Sequence, residues 1–333
     1  DLLTFTDECD IGHSYNFQAE PEGGIRDIGK TSRVQVQAFS RGMRRVVRTT
    51  YEFESPCGFD FSSKKRSAEN VTNRITAEYS LDEFSHGVQV SVTMENHSGE
   101  HRIRAVFNPG IHAEETFASA PFGFERRCRK EQLRQKDRNA DFPNSGVVVI
   151  DDGCRQFSCL NEGLFEYEHL EDGRIALTLL RCTGYIHGVE YVNGGLVLPG
   201  VEWCVPEGNL KGTHECRFAM RPGRGAFADL EQERQNFLAP LLTAFDSADP
   251  HKLTGGRPCD QCSAVRELFF RDLPLEKQHL PFENSALELD GRVVFSALKK
   301  AEDGSGSILR ICNPEKETVS VKLRLPENFE ALE

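Results

Sequence analysis

Strict alternation of apolar and polar side chains is the feature that most restricts this chain. Val88, Val90, Val92 and Met94 alternate with Gln89, Ser91, Thr93 and Glu95, the two-residue period of a strand buried on one face. Ile103, Ala105 and Phe107 repeat the period after the break at Asn96-His97-Ser98-Gly99, so the two runs are expected to form a hairpin. Val34, Val36 and Ala38 make another strand, with a turn at Arg41-Gly42 and a further strand from Val46 to Phe53. Runs at Val147–Ile150, Ile175–Leu180 and Cys216–Met220 follow. Short strands at this spacing, joined by polar turns, predict an antiparallel sandwich rather than βαβ units.

Two segments leave that rhythm. Arg126–Phe142 is dense in charge and is expected to be an exposed excursion. Asp229–Phe245 carries Leu230, Phe237, Leu238, Leu241, Leu242 and Phe245 at helical spacing, with Pro240 placed to end or kink a helix. Beyond it, Ser247–Gln261 reads as loop. A second β unit opens near Asn284, with turns at Asp290-Gly291, Gly304-Ser305-Gly306 and Asn313-Pro314-Glu315. With 333 residues the chain is long for one core. The expected division is a large sandwich over residues 1–227, a helix and linker over 228–283, and the start of a small sandwich over 284–333. Both ends are expected to lie inside a longer polypeptide.

Charge and cysteines exclude several function classes. A net charge of -12 repels phosphate backbones, so no nucleic-acid partner is expected. No apolar run approaches the roughly 18 residues of a membrane span, so no membrane partner is expected. Eleven cysteines without regular spacing fit a reducing compartment, and a cytoplasmic location is expected. Cys259-Asp260-Gln261-Cys262 has no second pair to complete a zinc ribbon. His112-Ala113-Glu114-Glu115 is too generic a cluster to name as a metal site. No phosphate-binding glycine loop or nucleophile elbow is present. The single Trp, Trp203, lies in a strand-like segment, and most of the many Phe rings are expected in the core.

The richest polar stretch is Asp7-Glu8-Cys9-Asp10-Ile11-Gly12-His13-Ser14-Tyr15-Asn16-Phe17. It gathers carboxylates, an imidazole, a phenol and an amide around one Gly, a set suited to the hydroxyls of a sugar. Read by itself, it is equally a polar turn whose acids cap backbone N–H groups.

That stretch resembles a segment of the C-terminal half of glycoside hydrolase family 38, the α-mannosidases. The family pattern is Asp-Glu-Gly-Asp, a short spacer, Gly-Asp, one residue, then Tyr. Cys9 stands where Gly is usual and His13 where Asp is usual. Further segments resemble the family in order: Gly146–Gly153, Gly163-Leu164-Phe165-Glu166-Tyr167-Glu168, Ala176-Leu177-Thr178-Leu179-Leu180-Arg181, and Phe295–Asp303 followed by Ile308-Leu309-Arg310 and Asn313-Pro314. Bacterial members, mannosylglycerate hydrolases among them, are the nearest in pattern.

The resemblance implies a mainly β fold: a large antiparallel galactose-mutarotase-like sandwich followed by a small, incomplete immunoglobulin-like β domain. It implies the C-terminal portion of a zinc-dependent retaining α-mannosidase. The zinc belongs to an N-terminal catalytic domain marked by His-x-Asp and His-His-Asp segments, which this chain lacks. The chain alone is therefore expected to be inactive, with no catalytic or metal residue of its own. Its expected partners are that catalytic domain and an α-mannoside, and a homo-oligomer is left open. The resemblance assigns substrate binding to Asp7, Glu8, Asp10, His13 and Tyr15. The competing readings are an autonomous carbohydrate-binding sandwich and a structural module without catalysis.

Overall fold

The computed structural model describes residues 2–20, 24–63, 65–133, 141–187, 190–192, 195–197, 203–239 and 287–324. The chain is mainly β, and its strands pair antiparallel. Two compact units divide it: Asp1–Leu238 with Val293–Val319, and Ala239–Arg292 with Ser320–Glu333.

Among the described residues, two large sheets form the body of the first unit, beside several two-stranded ones. The larger has nine strands, in the order Gly123–Cys128, Glu115–Ala120, Val147–Asp151, Gln156–Asn161, Gly212–Pro222, Val88–Asn96, Asn70–Leu81, Arg44–Pro56 and Arg33–Arg41. The smaller has six, in the order Asp141–Pro143, Glu166–His169, Ile175–Cys182, His101–Phe107, Leu3–Cys9 and Arg26–Asp27. Their inward faces meet in one apolar core. Phe107 of the small sheet contacts Phe157 and Phe218 of the large one, with ring centroids 5.7 and 5.5 Å apart. Phe5 meets Tyr51 at 5.6 Å. Rings buried between two such layers each contribute about 1.5–3 kcal/mol relative to exposure.

Alternation correctly locates the strands but not their partners. Val88–Asn96 and His101–Phe107 do not form a hairpin: they lie in different sheets. Period two reports which face is buried, and inward residues of both sheets face the same core. The chain crosses between layers at residues 97–100. Other elements satisfy this corner. The His97 N–H donates to Asn73 Oδ1 at 2.7 Å, the Gly99 N–H to the Cys57 carbonyl at 3.0 Å, and the Glu100 N–H to Asn209 Oδ1 at 2.9 Å. Glu100 itself takes a left-handed φ of 45°.

The charged segment after residue 125 is less of an excursion than its composition suggests. Gly123–Cys128 pairs with Glu115–Ala120, and Asp141–Pro143 edges the small sheet with Phe142 buried. The helix runs Phe227–Leu238. Its Leu230 is buried among Val147, Val149, Leu160 and Ala219, with Phe227 and Phe237 packed beside it. The helix therefore packs as part of the large sandwich. The expected continuation past Pro240 and the Cys259–Cys262 pair lie outside the described residues.

In the first unit Val294–Lys300 pairs with Ser307–Cys312. In the second unit Glu288–Asp290 pairs with Lys322–Arg324, placing Leu289 opposite Leu323.

Candidate functional site

The N-terminal acidic stretch is half strand and half loop. Asp7, Glu8 and Cys9 end the Leu3–Cys9 strand. Successive side chains of a strand point to opposite faces, so the neighbouring acids separate. Asp7 turns to the inner side and Glu8 to the outer.

Asp7 is fully buried. Its Oδ1 faces His101 Nδ1 at 2.7 Å, and its Oδ2 accepts from Ser55 Oγ at 2.7 Å and lies 3.5 Å from an Arg66 nitrogen. His101 Nε2 in turn meets Asn96 Oδ1 at 3.0 Å. Burial alone would raise the Asp7 carboxyl. The hydrogen bond and charge of His101, helped by Arg66 and Ser55, instead hold it well below the usual carboxylate range.

Glu8 enters a second cluster on the outer face of the small sheet. It sits directly opposite Arg102 in register. Its Oε1 lies 2.9 Å from Arg102 Nε and 2.7 Å from Arg104 Nε. Arg102 also reaches Asp141 at 3.0 Å and Glu166 at 3.2 Å, while Arg104 reaches Glu168 at 2.6 Å. The Phe17 ring lies 3.5 Å from the Arg102 guanidinium carbon. Four acids thus share two guanidinium groups. Asp141 carries the imbalance: burial raises its carboxyl to about 6, opposed by Arg102 and reinforced by Glu166 and Glu168.

A raised acid gives stability that is lost as pH rises from its unfolded value near 3.8 through about 6. Asp141→Asn is expected to flatten that decline and to stabilise the chain above pH 6 by up to about 3 kcal/mol. Urea midpoints of wild type and variant between pH 4 and 7 test this, and parallel profiles would refute it.

Asp10 opens the loop. Its Oδ1 accepts from the Gly12 and Gln18 N–H groups at 3.0 and 3.2 Å, and its Oδ2 accepts from Arg181 Nε at 2.7 Å. The same guanidinium donates to the His13 carbonyl at 2.6 Å. His13 and Asn16 exchange backbone hydrogen bonds at 3.1 Å, closing a tight turn. Only Gly fits at position 12, where a Cβ would stand 2.1 Å from the Asn16 carbonyl oxygen. His13 is buried, and its Nδ1 accepts from the Tyr15 N–H at 3.2 Å. The Tyr15 ring meets the His13 ring edge-on at 6.0 Å and is 77% exposed.

Of the five sequence-assigned residues, Asp10, His13 and Tyr15 therefore build one turn. Asp7 and Glu8 are spent on two separate internal networks. Cys9, in the place of the family's Gly, takes no left-handed conformation. It is buried, and burial pushes its thiol up. His112 is exposed, and the neighbouring Glu114 is paired with Lys130 at 2.6 Å. Among the described residues, no three His, Cys, Asp or Glu side chains are grouped to hold a metal ion.

Sequence reading missed the partners of this stretch: His101, Arg102, Arg104 and Arg181. Alternation in His101–Phe107 points Arg102 and Arg104 away from the core, which normally means solvent. The signal for their burial is a long-range one, the acids on three other strands of the same sheet.

A family model for the "Glycosyl hydrolases family 38 C-terminal domain" matches residues 1–185. A protein of Halalkalibacterium halodurans, provisionally named mannosylglycerate hydrolase, is 23% identical over 331 residues, covering 95% of this chain and 33% of its own length. The chain thus spans about a third of the curated relative it matches. A family 38 glycosyl hydrolase from Enterococcus faecalis superposes with a TM-score of 0.77 at 18% identity, over 97% of this chain and 36% of that one. An α-mannosidase from Enterococcus faecalis V583 superposes with a TM-score of 0.73 at 18% identity, over 93% of this chain and 33% of that one. These likenesses agree with the sandwich fold, and the match over residues 1–185 places the chain in glycosyl hydrolase family 38, as a carrier of that family's C-terminal domain.

Proposed function

We propose that this chain is the C-terminal portion of a zinc-dependent retaining α-mannosidase, acting on α-mannosides with mannosylglycerate among the candidates. Zinc and the nucleophile belong to a catalytic domain elsewhere in the same polypeptide, in the cytoplasm. The role proposed for this chain is to pack on that domain and complete its sugar pocket. Tyr15 makes the direct contact, while Asp7, Glu8, Asp10 and His13 hold the turn and the strand that deliver it.

One observation carries the reading. In the span matched by the family, a turn locked by Asp10, Arg181 and Gly12 presents a phenol to solvent. Locked backbone with a projecting polar-tipped ring is the economical way to bind a sugar, because little entropy remains to be lost.

In the polypeptide joined to its catalytic half, Tyr15→Phe removes one hydrogen bond of about 0.5–1.5 kcal/mol. KM for an aryl α-mannoside is expected to rise about two- to tenfold. A rim contact binds ground state and transition state alike, so kcat should change less than KM. Unchanged kcat and KM would remove Tyr15 from the pocket.

An autonomous carbohydrate-binding sandwich is the second reading, favoured by the exposure of Tyr15 itself. Mannoside affinity in this chain, together with the absence of any catalytic domain from the polypeptide that carries it, supports it.

A further inference from the structure

We propose that Trp203 forms, beside Tyr15, a second stacking platform on the same rim, which receives another pyranose ring of an α-mannoside. The inference rests on the mannoside reading above and extends it to a neighbouring subsite.

The placement follows from backbone connections. The Ser14 N–H donates to the Tyr185 carbonyl at 3.1 Å, and Ser14 Oγ donates to the Ile186 carbonyl at 2.8 Å. The Tyr185–His187 strand pairs with Trp203–Cys204, with His187 opposite Trp203. The turn bearing Tyr15 is thus stitched to one side of this two-stranded ribbon, and Trp203 is paired on the other. Cα atoms of paired residues lie about 5 Å apart, chain neighbours about 3.8 Å and hydrogen-bonded residues up to about 7 Å, so Tyr15 and Trp203 are separated by roughly 20 Å or less. A span of that size is one that a short oligosaccharide bridges.

Exposure is the second observation. Trp203 is 65% exposed and Tyr15 is 77% exposed, and Ile186, on the strand that links them, is exposed as well. Indole and phenol differ from the chain's other exposed rings in joining a broad apolar face to a polar tip, the combination that stacks on a sugar while its N–H or O–H stays hydrogen-bonded. Pyranose rings suit such a surface. One face presents axial C–H bonds that pack on an aromatic plane, while the equatorial hydroxyls remain hydrogen-bonded at the edge. Arg181 and Asp10 hold the turn beneath, so the Tyr15 side of the platform is formed before ligand arrives.

Trp203 is the only Trp of the chain, so all of its tryptophan emission reports on this position. Titration of the full chain with an α-mannobioside is expected to shift that emission to shorter wavelength, saturably, with methyl α-mannoside acting more weakly and methyl α-galactoside leaving it unchanged. The α-mannobioside should bind about tenfold more tightly than the monosaccharide. Saturation-transfer NMR on the same samples reports binding independently of Trp. Trp203→Ala is expected to reduce affinity for the α-mannobioside about tenfold, and Trp203→Phe to restore most of it. Because Trp203 is exposed, neither variant should change the unfolding midpoint.

The outcomes separate the two readings. Mannoside binding by NMR with unchanged emission and an unaffected Trp203→Ala variant overturns the subsite and leaves the mannoside reading standing. An emission shift with the galactoside but not with the mannosides keeps an aromatic sugar platform and overturns the mannoside reading. Silence in both measurements overturns both.

Discussion

Asp7→Ala is expected to destabilise the chain by about 3–5 kcal/mol, the cost of stranding a buried charge and its donors. The carboxylate is fully buried and serves three partners on three other segments, His101, Ser55 and Arg66. The two His101 nitrogens are both within hydrogen-bond reach of a partner, one of Asp7 and one of Asn96 Oδ1. The Asn96 orientation is fixed because its Nδ2 group donates to the Asn209 and Leu210 carbonyls at 3.2 and 3.1 Å. Without Asp7, the imidazole at the end of the core faces no acceptor on one side and Arg66 loses its counter-charge. Asp7→Asn keeps the shape and should lose less. The pH dependence has a definite sign. Asp7 is held below its unfolded value, so its stabilisation is present above about pH 4 and is lost as pH falls further. Urea denaturation at pH 7, where the stabilisation is complete, and at about pH 2.5, where much of it is gone, measures both effects. A loss below about 1 kcal/mol for Asp7→Ala would show that the network is relaxed or hydrated.

Arg102→Ala is expected to have an effect of similar size, about 3–5 kcal/mol. Its side chain is 2% exposed and is the shared counter-ion of Glu8, Asp141 and Glu166. Burial would lower the guanidinium pKa, but these acids hold it charged, above its ordinary value. Removal leaves three close carboxylates with Arg104 as their nearest cation, and also takes the guanidinium away from the Phe17 ring. A surface comparison sharpens the expectation. Arg74 bridges Glu52 and Glu95 on exposed strands, and Arg74→Ala should barely move the midpoint, because water screens such pairs. Equal losses at Arg102 and Arg74 would mean that the outer cluster is as solvated as an ordinary surface. Since Phe17 closes the stretch that carries Tyr15, the Arg102 variant should also weaken mannoside binding.

The fold was legible in the sequence wherever one face of a strand meets the core. Val90, Val92 and Met94 are buried as their alternation requires, and Gly42 turns with a φ of 62° where Arg41-Gly42 marked the reversal. Strand partners were not legible. A crossing between sheets at residues 97–100 and a hairpin there share the same polar composition. They differ in long-range hydrogen bonds to Asn73, Cys57 and Asn209. Likewise, the helix was legible through Leu230 and Phe237, but its start at Phe227 precedes the first residue that spacing marks.

The candidate site was legible as a composition and not as a geometry. Acid residues in one short stretch look like a single polar surface. Period two sends Asp7 and Glu8 to opposite faces, and the cations that claim them lie far along the chain, from Arg66 to Arg104. Only Asp10, His13 and Tyr15 share a turn, and Tyr15 projects from it. The exposure of Trp203 was equally hidden, since a strand-like segment rich in apolar residues suggests a core ring.

Turnover of an aryl α-mannoside by the purified chain, with bound zinc quantified in the same sample, tests the central claim most directly. If this chain is the pocket-completing half of a zinc-dependent α-mannosidase, it should show no turnover and no stoichiometric zinc, while still binding mannoside at the Tyr15 rim. Zinc-dependent turnover by the chain alone would contradict that claim and place the catalytic centre among its own residues.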